Sequence, residues 1–232
     1  GGNFLHEAVI AEAQAESLVA GFSNSVHSGI VAHYLLAYGT EAQKQRWLPR
    51  MARGELTGCL ALTEPDAGSD VAGLRTRAVR DGDEYVINGQ KMWTSLAGGA
   101  DYCWLAVRTD PEAKKHKGIS VIVVPMDTPG ITIQPLRLMG EHDINATYFD
   151  DVRVPAKFLV GEENGGWGLI TNQLNHERVT LCSTGVVERA LTEIRAWAQG
   201  HHATHELMAG DHRRLDVARL LGIAPERRRA AI

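Results

Sequence analysis

The sequence predicts an α+β molecule, with a middle antiparallel β-barrel domain between helical domains. Three observations carry this. Apolar residues recur at helical spacing through residues 1–55. From Leu56 the period shortens, and about seven or eight short strands follow in roughly 100 residues, an antiparallel sheet pair or barrel. Helical spacing returns from Trp167 to Ala198. The domains are accordingly 1–55, 56–162 and 163–232, the last being the start of a helical domain.

In the first segment Phe4, Leu5, Ala8, Val9 and Ala13 share one helical stripe. Ile30, Val31, Tyr34, Leu35 and Tyr38 share another, with Gly39 as its C-cap. Thr40-Glu41-Ala42-Gln43 reads as a capping box for the next helix, which Pro49 starts anew or kinks and Gly54 ends. Strands are predicted at 56–62, 75–80, 84–87, 91–94, 101–108, 119–124, 131–136 and 146–149. Asp81-Gly82 and Asn88-Gly89 serve as tight turns. After the Gly161–Gly168 loop comes a helix, then a polar stretch over 200–212 and a last helix from Asp211.

Bulk composition excludes several function classes. The chain has 232 residues, 44% hydrophobic and 22% charged, with net charge −4 and pI near 6.2. No basic excess points to nucleic acid, and the apolar runs are too short to cross a bilayer. Cys59, Cys103 and Cys182 are sparse and form no CxxC pair, which predicts a reducing, cytoplasmic setting and three small core residues. His201, His202 and His205 lack a completing ligand motif and read as a solvated loop, so no metal is predicted.

Three segments carry candidate chemistry. In Leu62-Thr63-Glu64-Pro65-Asp66-Ala67-Gly68-Ser69-Asp70 a strand end runs into a turn of small residues. Its N–H groups and the Ser69 hydroxyl suit a phosphate, and Gly68 permits close backbone approach; an ordinary β-turn fits the same residues. In Lys91-Met92-Trp93-Thr94-Ser95 the indole suits a planar heteroaromatic ring, with hydroxyls for its polar edge; a core tryptophan also fits. On the last well-marked helix, Ile170, Leu174, Glu177 and Leu181 fall on one stripe. A carboxylate inside an apolar face has its pKa raised and becomes a usable general base; a structural ion pair is the alternative.

These segments, in this order, resemble the acyl-CoA dehydrogenase family. The resemblance rests on Leu62-Thr63-Glu64-Pro65 with Ala67-Gly68-Ser69-Asp70, Ile87-Asn88-Gly89-Gln90-Lys91-Met92-Trp93 and Asn145-Ala146-Thr147-Tyr148. Asp151-Val152-Arg153-Val154-Pro155, Val160-Gly161-Glu162-Glu163-Asn164 and Gly166-Trp167 complete it. It implies FAD in a cleft between the domains, an acyl-CoA substrate, an electron-transfer flavoprotein as acceptor and a homo- or hetero-oligomer. Leu60, Leu62 and Thr63 would border the isoalloxazine ring. Gly68 and Ser69 would hold the pyrophosphate, and Trp93 and Ser95 would flank the flavin. Ser69 and Arg178 are the implied substrate contacts.

The family carries its catalytic glutamate either on a late C-terminal loop or on a helix just before an arginine; Glu177-Arg178 resembles the second arrangement. The stretch 172–179 further resembles actinobacterial subunits that act on steroid side-chain CoA esters. Against the family's length this chain is short at both ends. An acyl-CoA oxidase and a non-catalytic FAD-binding or assembly subunit are the rival readings.

Overall fold

A computed structural model of the chain describes residues 4–17, 25–139, 144–180 and 185–200. Cys182, Leu181, the three histidines and the predicted last helix lie outside them. The chain forms two compact units, one of residues 1–11 with 19–183, the other of 12–18 with 184–232.

In the larger unit a π-helix, Ser25–Val31, runs directly into α2 (Ala32–Tyr38). Here α1 denotes Phe4–Glu16, as its periodicity predicts. Gly39 ends α2 with its N–H on Leu35 O at 2.8 Å. The Thr40 hydroxyl and the Gln43 side chain then form the predicted capping box at the start of α3 (Glu41–Ala52). Pro49 lies inside α3 and neither starts nor breaks it. Gln43 Nε2 also donates to Lys157 O and Leu159 O at 2.9 and 2.7 Å, tying α3 to the end of the β region. Trp47 of α3 packs edge-on against Tyr102, Trp104 and Phe158. That aromatic cluster joins the helical segment to the sheet.

The strands are β1 (Gly58–Ala61), β2 (Arg77–Asp81), β3 (Glu84–Ser95), β4 (Tyr102–Arg108), β5 (Ile119–Pro125), β6 (Ile131–Leu136), β7 (Ile144–Pro155) and β8 (Leu159–Val160). They form one sheet in the order β6-β7-β3-β2-β4-β5-β8, with β1 also on β4. The predicted antiparallel barrel is corrected here: the sheet is mixed and its path is open, with no ladder from β6 to β8 among the described residues. Both β1 and β2 lie parallel to β4, β1 along Gly58–Ala61 and β2 only at Arg77↔Arg108. Hairpin turns force antiparallel neighbours, but the long connections from β1 and β2 to β4 leave direction free.

A second correction concerns Asn88-Gly89. It is not a turn: β3 runs through it unbroken. The Asn88 amide exchanges two hydrogen bonds with Asp151, both 2.9 Å, so the sequence feature that signals a turn here anchors β3 to β7. Gly89 sits at φ 153, where a Cβ would lie 2.6 Å from Thr76 Cα. The glycine permits a bulge and a close chain approach. Asp81-Gly82 does make the predicted turn between β2 and β3.

The apolar run of β5 is buried from Ile119 to Val124, as a strand covered on both faces must be. The helix α4 (Gly166–Thr180) packs on β5, on the π-helix and on α2. Gly166 makes its entry possible, since a Cβ there would meet Ile119 O at 2.8 Å. Cys59 and Cys103, opposite each other on β1 and β4, are buried core residues as expected. In the smaller unit, α5 (Gly185–Gly200) is tied by the Arg189 guanidinium to Glu16 O. No described helix is long and apolar enough to cross a membrane.

Candidate functional site

The turn after β1 is built around Glu64. Its backbone exchanges two hydrogen bonds with Ala67, closing a tight loop over Pro65 and Asp66. Its carboxylate is buried and accepts from Arg75 N at 2.6 Å, from Thr76 N at 2.9 Å and from Lys91 Nζ at 2.8 Å. Lys91 is fully buried and also donates to Leu62 O at 3.0 Å. Burial works against the charge on Glu64, but the Lys91 ammonium and the Thr76 and Arg75 donors outweigh it and hold the carboxyl below its usual range. Burial lowers the Lys91 pKa, and Glu64 opposes that fall.

Beyond Lys91 the strand bulges. The pairing with β7 moves from Lys91↔Thr147 to Thr94↔Asn145, so two residues of β3 stand opposite one of β7. Met92 turns away from β7 and donates its N–H to Thr63 O at 2.8 Å. Trp93 is driven to φ 60, a conformation that a bulky residue adopts only under constraint, and the residue is 53% exposed. Thus the segment of Leu62 and Thr63 and the segment that carries Trp93, singled out from sequence as separate candidates, are joined through Met92 and Lys91. Leu60, Leu62 and Thr63 are half-buried, while Gly68, Ser69 and Ser95 are exposed. Gly68 has open space where a Cβ would stand. Asp70 is paired with Lys115 on the loop between β4 and β5.

This arrangement fits a flavin nucleotide. A large aromatic face is held open beside a half-buried apolar edge and a turn of small residues with free backbone approach.

Glu177 belongs to a different cluster. It lies one turn after Gln173 on α4, on the stripe of buried Ile170 and half-buried Leu174. Its carboxyl is pushed up by burial. The phenol of Tyr34 on α2 is raised by its own burial, then by the charge of Glu177 and by Tyr38. Tyr34 OH and Gln173 Oε1 are buried without a hydrogen-bond partner among the described residues, so polar capacity is left open in this cluster. Asn172 donates to Tyr38 OH at 2.6 Å, which fixes α4 against the end of α2. The side chain of Arg178 lies outside the described residues.

Residues 1–55 match the family model "Acyl-CoA dehydrogenase, N-terminal domain", and residues 59–152 match "Acyl-CoA dehydrogenase, middle domain". The chain belongs to the acyl-CoA dehydrogenase family. Among curated relatives, acyl-CoA dehydrogenase FadE26 of Mycobacterium tuberculosis is 57% identical over 172 residues, covering 73% of this chain and 43% of the relative. Among solved structures, the ChsE4-ChsE5 complex from Mycobacterium tuberculosis aligns with a TM-score of 0.76 at 50% identity, over 84% of this chain and 50% of that one. The Tcur3481-Tcur3483 steroid ACAD aligns with a TM-score of 0.73 at 47% identity, over 83% and 50%. The chain therefore spans about half or less of the length of these acyl-CoA dehydrogenases.

Sequence reasoning missed Glu64 and Lys91 as a pair. The signal was present in β3, where Tyr85 and Ile87 face inward and Lys91 falls in the same alternating phase. A lysine on the buried phase of a strand requires an anionic partner.

Proposed function

We propose that this chain forms the flavin-binding part, and supplies the catalytic base, of an FAD-dependent acyl-CoA dehydrogenase that makes a trans-2-enoyl-CoA. The observation that carries this is the exposed Trp93, at positive φ directly after Met92, whose N–H is bound to Thr63 O. When bound, FAD would supply the acceptor for the hydride leaving Cβ. Trp93 and Ser95 would flank the ring, Leu60, Leu62 and Thr63 would border it, and Gly68 with Ser69 would hold the pyrophosphate. Glu177 takes the proton from Cα, and its desolvated carboxyl is suited to that role. Ser69 and, by the family resemblance, Arg178 would contact the substrate.

Electrons then pass to an electron-transfer flavoprotein, and the working form is an oligomer. The name of the Tcur3481-Tcur3483 relative supports a CoA ester of a steroid side chain as the substrate. The test is an anaerobic absorption spectrum of the purified protein with and without acyl-CoA. A bound flavin that bleaches with formation of enoyl-CoA is expected. A protein that carries no flavin, or a flavin that acyl-CoA leaves oxidised, overturns the reading. Slow reoxidation by oxygen and fast reoxidation by electron-transfer flavoprotein distinguish the dehydrogenase from an oxidase.

A further inference from the structure

Glu64 and Lys91 face away from solvent and have no place in the chemistry described so far. Their partners, however, are the two segments that build the flavin site. Lys91 is the residue before Met92, whose N–H holds Thr63 O, and Trp93 follows directly. The ammonium of Lys91 grips Leu62 O and the Glu64 carboxylate together. The carboxylate in turn closes the far end of the same turn by accepting from Arg75 and Thr76. One buried ion pair therefore fixes both ends of the segment from Leu62 to Thr76 and splices its start to the strand that presents Trp93.

We propose that the buried Glu64–Lys91 pair is a latch that sets the Leu62–Asp70 turn against Trp93, making both side chains positioning residues of the flavin site. The proposal rests on the FAD reading above. A buried pair seldom adds net stability over an apolar replacement, so its use is to specify one arrangement of the chain around it. An apolar pair of the same volume would fill the space without directing Leu62 O or the Arg75 and Thr76 amides. The turn would then be free to shift relative to the indole, and the distance between ring face and phosphate cradle would no longer be set.

The experiment compares wild type with Lys91→Met, which keeps an unbranched apolar stem, removes the ammonium and leaves Glu64 its two backbone donors. Three quantities are measured. Amide exchange of the apoprotein reads the turn without any flavin. FAD titration of the apoprotein gives Kd, and visible circular dichroism of the bound flavin reads its orientation. The latch predicts exchange at Ala67, Arg75 and Thr76 faster by at least about ten-fold, FAD affinity weaker by about ten-fold, and an altered flavin dichroism. Amides in the β4–β5 ladder should keep wild-type protection.

If Kd and dichroism match wild type, the positioning role is overturned, even where exchange of the turn has risen. If protection falls equally in β4–β5, the pair is a general stabiliser of the domain and the latch is overturned. A wild-type protein that takes up no FAD overturns the cofactor reading and the positioning role with it, and the exchange arm still decides whether the pair holds the turn. Should Lys91→Met not fold, Glu64→Asp carries the same readouts, since it keeps both charges and withdraws the carboxylate by one methylene.

Discussion

Replacing Glu177 by glutamine keeps size and hydrogen-bonding capacity but removes basicity. Flavin and acyl-CoA should still bind, while the rate of flavin bleaching in anaerobic stopped flow falls by roughly two to four orders of magnitude. A variant that bleaches at nearly the wild-type rate would place the base elsewhere. The same carboxyl gives a stability signature. Burial raises its folded pKa above the ordinary value of 4.5, so the native state holds the proton more tightly than the unfolded chain. Its stabilising contribution is full below the unfolded pKa and is lost as pH rises through the folded value. Glu177→Gln should therefore gain stability relative to wild type as pH rises above the ordinary carboxylate range, read as the difference between denaturation midpoints. Bleaching by the wild type should accelerate over the same rise, since only the carboxylate accepts a proton. At the flavin site the backbone donors around Gly68 survive any side-chain change. Ser69→Ala or Trp93→Ala alone should do little, while the double variant lowers flavin occupancy of the purified protein. Unchanged flavin content in a well-folded double variant would remove these residues from the site.

Among the elements, β3 carries the most information. Gly89 combines φ 153 with a 2.6 Å approach to Thr76 Cα, so alanine there meets both backbone strain and a clash. Gly89→Ala should cost about 1–3 kcal/mol, measured by denaturant unfolding. A neutral result would mean that the bulge relaxes freely. The same glycine explains why the strand was misread. Asn-Gly between apolar alternations is a strong hairpin signal, and only the partner across the sheet, Asp151, turns it into an anchor. Local signals did give α3 and its capping box, the β2–β3 turn and the helix that carries Glu177. They could not give the parallel pairing of β1 and β2 with β4, because residues distant in sequence decide it. The site divides in the same way. Thr63, Ser69 and Trp93 were legible as residue types suited to a nucleotide, whereas the Glu64–Lys91 pair exists only through a contact across 27 positions.

At the scale of the whole molecule, the chain matches less than half of FadE26, yet its last described helix already presents apolar surface. Val186, Val187, Leu191, Ile194 and Trp197 of α5 are all exposed, and Val187, Leu191 and Ile194 follow helical spacing along one face. A stripe of that kind leaves large side chains in water at about 25 cal/mol for each Å² uncovered. Apolar patches of this extent are normally covered by another part of the protein or by another subunit. A polypeptide of these 232 residues alone should therefore associate, observed as a concentration-dependent mass in sedimentation velocity. Lysine or glutamate at Val187, Leu191 and Ile194 should reduce the association while leaving the β domain folded, because α5 belongs to a unit separate from the sheet. A monodisperse, flavin-loaded monomer that turns over acyl-CoA would contradict the argument. Association that persists unchanged in the charged triple variant would shift the sticky surface away from α5.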